Sequence, residues 1–318
     1  MTSAAPSTPV IVDCDPGHDD AVALLVALKR LNVVGVTTVA GNQTLEKVTA
    51  NARKILALAC RDDIPVLRGS REPFDERPWF ADRVHGEFGL DGVNLPEPGV
   101  DLTPGHAVDF IIDRARSSEE LAIIALGPLT NVAAVLQREP ALTSGISGIW
   151  LMGGSFGPGN VSPAAEFNIA FDPEAADVVF AAGIPLRMCG LNLTRQVGAG
   201  DKEINRFRAI SNRIGPVVAD LVQFHRKRTR DVYGSDTVPI HDACAVASFV
   251  APELITFRRM HVGVELRGEQ TRGMTVCDAR FADVSRPDWA PVPNADVGIE
   301  IDREGFFNLL CDSLVAYD

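Results

Sequence analysis

A chain of 318 residues, 46% of them hydrophobic, is long enough for one large α/β domain or two smaller ones. A net charge of −12 and a pI near 5.0 argue against a polyanionic partner, and no window approaches the roughly 18 apolar residues of a membrane span, so neither nucleic acid nor a membrane is an expected partner. The first nine residues lack a basic region followed by an apolar stretch and read as a flexible tail, with the cytoplasm as the expected location. The six cysteines, Cys14, Cys60, Cys189, Cys244, Cys277 and Cys311, form no CxxC pair and read as reduced core thiols.

Val10 to Val12 are β-branched, the pattern of a buried strand, and Ala21 to Leu28 are apolar helix formers. The turn between them carries Asp13, Asp15, Asp19 and Asp20, four carboxylates in eight residues. Two such charges about 4 Å apart repel by roughly 4 kcal/mol at an effective dielectric near 20, so the cluster calls for a cation or a shared proton. Oxygen-only ligands favour Ca²⁺ or Mg²⁺ over zinc. Val33 to Val39 reads as the second strand, followed by a helix from Thr44 to about Cys60 and a short strand at Val66 and Leu67. The proline-rich stretch Arg68 to Gly99 is a long loop, and loops of this length in compact domains are usually functional.

Thr103 and Pro104 predict a helix start, running to about Ser117. Leu121 to Leu126 is a strand, Asn131 to Arg138 a helix and Ile146 to Met152 a strand. The glycine-rich segment to Asn168 reads as loop, Asp172 with Pro173 caps a helix, and Leu186 to Cys189 is a further strand. Beyond Asp201 the pattern is helical; His225 to Arg230 (HRKRTR) reads as a solvated helix end, and His241 and Asp242 open an apolar helix. Thr256 to Arg267 with Met274 to Val276 predicts a hairpin, and a strand near Val297 to Ile301 precedes a last helix from Gly305. The alternation implies a mainly parallel, Rossmann-like sheet flanked by helices, with added C-terminal helices, in one domain over residues 10–318. Ligands in such sheets gather beyond the carboxyl ends of strands, where Asp15, Asn42, the Leu126 carbonyl, Met152 and Asn192 all fall.

The opening DCDPGHDDA (Asp13 to Ala21), VAGN (Val39 to Asn42), MGG (Met152 to Gly154), EFN (Glu166 to Asn168) and the distant HDA (His241 to Ala243) stand in the order found in the inosine-uridine preferring nucleoside hydrolases, which the chain resembles over nearly its full length. The resemblance implies a calcium-dependent N-ribohydrolase acting on ribonucleosides, assembled as a homodimer or homotetramer. It implies that Asp15, Asp20, Asp242 and the Leu126 carbonyl hold Ca²⁺ and that Asp15 also activates the attacking water. Asp19, Asn42, Met152, Asn160, Glu166 and Asn168 match ribose or metal-neighbouring positions. His241 matches the residue that helps the base depart, a role suited to an imidazole whose ordinary pKa is near 6.5, and favours inosine and pyrimidine nucleosides. Phe167 and Tyr233 are candidates to border the base, with lid or core packing as the competing account; Asp13 supports the turn, and turn or loop roles are expected for His18 and His85.

Two departures stand out: Ala243 where a proline follows His-Asp in the family, and Asn192 where many relatives carry aspartate. A metal-dependent phosphohydrolase is an alternative for a DxD after a strand, although no phosphate-binding lysine or glycine-rich cradle accompanies it. A nucleoside or pentose sensor that kept the metal site is a second alternative. The chemistry fits the first reading best, since breaking an N-glycosidic bond builds positive charge on the ribose, which a ring of carboxylates stabilises.

Overall fold

The structure, a computed structural model, describes residues 8–75, 78–81, 86–118, 120–281 and 285–317. The β-branched run forms strand β1 (Pro9–Cys14), which pairs in parallel with β2 (Asn32–Thr38) on one side and β4 (Leu121–Ala125) on the other. β3 (Val66–Arg68) extends the sheet beyond β2, while β5 (Ile146–Met152) and β6 (Leu186–Cys189) extend it beyond β4, all in parallel. The order β3-β2-β1-β4-β5-β6 reverses between β1 and β4, and the crevice beyond their carboxyl ends is where such sheets bind ligands.

A short ladder of β7 (Gly198–Ala199) and β8 (Val238–Pro239) lies apart from the main sheet. β11 (Ala295–Ile301) joins β6 in parallel, and the expected hairpin, β9 (Ile255–Val264) with β10 (Thr275–Asp278), adds antiparallel strands beyond it.

Alternate strand residues feed two apolar clusters: Val10, Val12, Ala122 and Ile124 join one, Ile11, Leu121, Ile123 and Ala125 the other. Helix α1 (His18–Arg30) is buried from His18 to Leu28, so it presents no solvated face and occupies the centre of the first cluster. Around it pack α2 (Leu45–Leu58) and three helices from the second half of the chain. The opposite cluster is covered by α3 (Ala107–Ser117), α4 (Thr130–Arg138) and, after the short α5 (Phe167–Phe171), α6 (Pro173–Ala181). Asp172 caps α6 as expected, its Oδ1 accepting from the Ala175 amide at 3.0 Å while Oδ2 accepts from Thr130 Oγ1 at 2.7 Å. Beyond α7 (Leu191–Thr194) the chain forms α8 (Asp201–Arg208), α9 (Ile214–Tyr233), α10 (His241–Val250) and α11 (Arg303–Val315).

Four local expectations change. The helix expected from Thr103 begins at Ala107, because Gly105 takes φ +114° and His106 bridges to Arg68 before its ring accepts the Val108 amide. Phe167 and Asn168, expected to end a loop, instead open α5, because Glu166 caps it. His225–Arg230 is not a solvated helix end: it lies inside α9 with His225, Arg226 and Thr229 buried, and Arg226 is satisfied by Asp201 and by the Asp236 carbonyl. Of the six cysteines, all free, Cys14, Cys189 and Cys244 are core thiols, whereas Cys60 is exposed and Cys277 and Cys311 are half-buried.

Candidate active site

β1 ends at Cys14 and delivers Asp15 to the switch point, where Leu126 follows β4 and donates its amide to the Asp13 carbonyl at 2.8 Å. The Asp15 carboxylate lies against two glycines: a Cβ on Gly41 would stand 2.1 Å from Oδ2, and one on Gly127 would stand 2.5 Å from Oδ1. Its Oδ2 accepts the Asn42 amide at 2.7 Å. Asn42 Nδ2 donates to the Asp15 carbonyl and to Asp20 Oδ2, both at 3.1 Å, so the VAGN turn clasps the DPGHDD turn. Asp20 also accepts the Gly17 amide at 2.9 Å, within the first turn of α1, where a helix N-terminus favours negative charge.

α10, packed on α1, brings Asp242 to this turn across more than 200 residues of sequence. Asp19, Asp20 and Asp242, all buried, each place a carboxylate oxygen within 4.8 Å of the others. Asp15 is beside this trio rather than in its tightest grouping, and Asp19 also accepts from the His241 and Asp242 amides at the start of α10. Asp20 and Asp242 touch carboxylate to carboxylate, a contact that like charges tolerate only with a proton or a cation between them. The all-oxygen donor set fits a hard divalent ion.

Burial pushes Asp15 and Asp242 well above the ordinary carboxylate range and Asp19 and Asp20 up to about 6. The neighbouring acids add to the rise at Asp15, Asp20 and Asp242.

The wall beyond β4 and β5 is built from amides. Asn168 Nδ2 donates to the Leu126 carbonyl at 2.7 Å and the Met152 carbonyl at 3.0 Å, joining two strand ends. Glu166 accepts the amides of Asn168, Ile169 and Gly154 at 3.0, 3.2 and 2.9 Å, and burial raises its pKa to about 7. Asn160 Oδ1 accepts the Phe167 amide at 3.0 Å. Trp79, from the long loop, meets the Phe167 ring edge-on with centroids 5.0 Å apart.

On the α9 side, His18 stacks on Phe224 at 5.0 Å, lies 5.6 Å from the His225 ring, and donates through Nε2 to the Asp91 carbonyl at 2.9 Å. His18 is therefore a buried tie between the acidic turn and the loop. His241 Nδ1 lies 2.6 Å from Thr194 Oγ1, and burial lowers the His241 pKa to about 3, so the ring is neutral at physiological pH rather than poised near 6.5.

Tyr233 is exposed at the end of α9, apart from these contacts, and Asn192 pins the Phe156 amide to the Gly298 carbonyl. Asp13 Oδ1 accepts from Thr37 and Asn131 at 2.6 and 2.8 Å beneath the turn. Ala243 is fully buried in the first turn of α10, which forms without the proline. His85 lies outside the described residues. No sequence pattern marks Trp79 or Thr194 as a site residue, and Asn131 is legible only as a helix start. Asn131 alone carried a signal, as a polar residue soon after a strand end.

The model of the inosine-uridine preferring nucleoside hydrolases matches residues 10–308. The chain belongs to this family. It is a nucleoside hydrolase, cleaving the N-glycosidic bond of ribonucleosides, and the family is metal-dependent. The phosphohydrolase and sensor alternatives give way to that activity.

The chain is 45% identical over 313 residues to a pyrimidine-specific ribonucleoside hydrolase of Salmonella paratyphi A, covering 97% of this chain and 99% of the relative. It is 46% identical to the pyrimidine-specific ribonucleoside hydrolase of Shewanella woodyi, over 97% and 98% of the two chains. Among solved structures it superposes on a plant nucleoside hydrolase with a TM-score of 0.88 at 34% identity, covering 98% of this chain and 100% of that one. A purine-preferring ribonucleoside hydrolase from Gardnerella vaginalis gives 0.88 at 31% identity, over 96% and 98%. No helix among the described residues is long and apolar enough to cross a membrane.

Proposed function

We propose that this nucleoside hydrolase is calcium-dependent and acts on pyrimidine ribonucleosides, releasing the free base and ribose. The observation that carries the metal is the convergence of Asp19, Asp20 and Asp242 on one buried point, with Asp15 and the Leu126 carbonyl alongside. Asp15, Asp20, Asp242 and the Leu126 carbonyl would hold calcium; a small turn of the Asn168 amide would release that carbonyl. Bound calcium would supply a Lewis acid that acidifies water and orients the vicinal hydroxyls. The pyrimidine preference is supported by the names of the relatives at 45–46% identity.

Asp15 is the base that takes a proton from the attacking water, and the Asn42 amide and the two glycines fix its rotamer for that task. Asp19 faces a ribose hydroxyl. Asn42, Met152, Asn160, Glu166 and Asn168 line the sugar, and Phe167, backed by Trp79, closes it off from water. As positive charge develops on the ribose, the surrounding carboxylates stabilise it in a site buried from solvent. His241 assists the leaving base as a neutral hydrogen-bond donor. A homodimer or homotetramer in the cytoplasm completes the proposal.

The test is base release from uridine, cytidine, inosine and adenosine, before and after chelation and with calcium or magnesium restored. Turnover of the pyrimidine nucleosides first, abolished by chelator and restored best by calcium, is the expected result. Undiminished turnover after exhaustive chelation would remove the metal from the proposal; a preference for inosine and adenosine would remove the base assignment.

A further inference from the structure

Thr194 ends the short helix α7 and is fully buried, and its hydroxyl has one hydrogen-bond partner among the described residues, His241 Nδ1 at 2.6 Å. A hydroxyl carries one proton and can also accept, so the contact admits two arrangements. In one, the ring donates from Nδ1 and the Thr194 proton is stranded in the interior with no acceptor. In the other, Thr194 donates to Nδ1 and both groups are satisfied. Buried donors are almost always paired, which selects the second arrangement. A neutral imidazole that accepts at Nδ1 carries its proton on Nε2. His241 Nε2 has no hydrogen-bond partner among the described residues, and His241 is half-buried while Asp242 beside it is buried in the carboxylate site.

We propose that Thr194 is the positioning residue that locks His241 in the Nε2–H tautomer, so that the ring offers a hydrogen-bond donor to the departing nucleobase. The inference rests on the leaving-base role of His241 stated above. No proton is transferred in full: the Thr194 proton stays on Oγ1, the His241 proton stays on Nε2, and the electron pair of the broken glycosidic bond leaves with the base, where the donated hydrogen bond disperses it. Water then protonates the released base. Threonine suits the position because its hydroxyl can donate from a fully buried site. Valine keeps the shape and loses the donor; serine keeps the donor.

The test compares the full-length, calcium-loaded wild type with Thr194→Val, Thr194→Ser and His241→Ala on two substrates. Uridine has a leaving group that needs help, and 4-nitrophenyl riboside has a phenolate that leaves unaided. Thr194→Val is expected to lose about 10- to 100-fold in kcat on uridine, the scale seen when the group orienting a functional histidine is removed. It should keep its kcat on the nitrophenyl substrate and its KM on both, and Thr194→Ser should restore uridine turnover. Equal losses on both substrates would mean a packing role and overturn the proposal, as would an unimpaired Thr194→Val.

His241→Ala separates the two levels. If it spares uridine, the leaving-base role falls and the function of Thr194 with it; if it loses uridine selectively while Thr194→Val does not, only the tautomer assignment is overturned. Nitrogen-15 histidine spectra of the wild type, which require no variant to fold, should show the His241 proton on Nε2, and a proton on Nδ1 would refute the assignment directly.

Discussion

Gly127→Ala is the sharpest probe of how Asp15 is held. The added methyl would stand 2.5 Å from Asp15 Oδ1 and 2.8 Å from its Cγ, where ordinary contacts begin at 3.4 Å. The carboxylate cannot retreat freely, since its other oxygen is held by the Asn42 amide at 2.7 Å and faces Gly41. It must shift by roughly 1 Å, and a misplacement of that size at a reacting group costs about 100-fold in rate, close to 2.7 kcal/mol of barrier. The expected result is a fall of that order in kcat on uridine with a folded, metal-binding protein. Steady-state kinetics, circular dichroism and calcium titration would establish it. Gly263→Ala is the control, because the nearest atom to its new methyl is 3.9 Å away. A Gly127→Ala enzyme within threefold of wild-type kcat would show that the position of the Asp15 carboxylate does not limit the reaction.

Stability of the chelated protein should rise as pH falls from 8 to about 5, because Glu166, raised to about 7, Asp13, Asp19 and Asp20, raised to about 6, and Asp15 and Asp242, also raised by burial, bind protons in the folded state before the unfolded chain does. His18, His225 and His241, lowered to about 3, 4 and 3, oppose part of this rise, since the unfolded chain takes up their protons first, but three lowered histidines do not offset six raised acids. Melting temperature against pH with chelator checks this, and a melting temperature that falls between pH 8 and 5 would contradict it. Asp242→Asn should abolish the thermal shift produced by calcium, measured by differential scanning fluorimetry. Leu24→Ala, at a fully buried position of α1, should cost about 2–5 kcal/mol in urea unfolding. Trp79→Ala should raise KM several-fold with little change in kcat if its edge-on contact with Phe167 serves closure and not chemistry.

The parallel sheet was readable because buried parallel strands are short β-branched or apolar runs ending at turn residues, as at Val10, Leu121, Ile146 and Leu186. Asp172 was readable as a cap because a side chain that serves its own neighbouring amides leaves a local signature. Contacts between distant segments left none. Thr194 is an unmarked residue until α10 arrives at it, and Trp79 has no visible partner until α5 folds. The polar sequence of HRKRTR conceals a buried face because Asp201 and the Asp236 carbonyl, remote from any period, neutralise Arg226. Likewise the tail of the long loop is tied down by His18, Asn51 and Gln43, a set of hydrogen bonds to backbone carbonyls that no pattern announces.

The burial of α1 on every face has an evolutionary consequence. The helix that supplies Asp19 and Asp20 is also the centre of the apolar interior, so drift at Val22, Leu24 or Leu25 alters the carboxylate cluster and the folded state together. Selection on either property therefore restrains both. The loop bearing Trp79 and the exposed end of α9 near Tyr233 carry no such double duty. Substitutions there leave the apolar interior around α1 intact, so a designer would randomise those segments and keep α1 untouched.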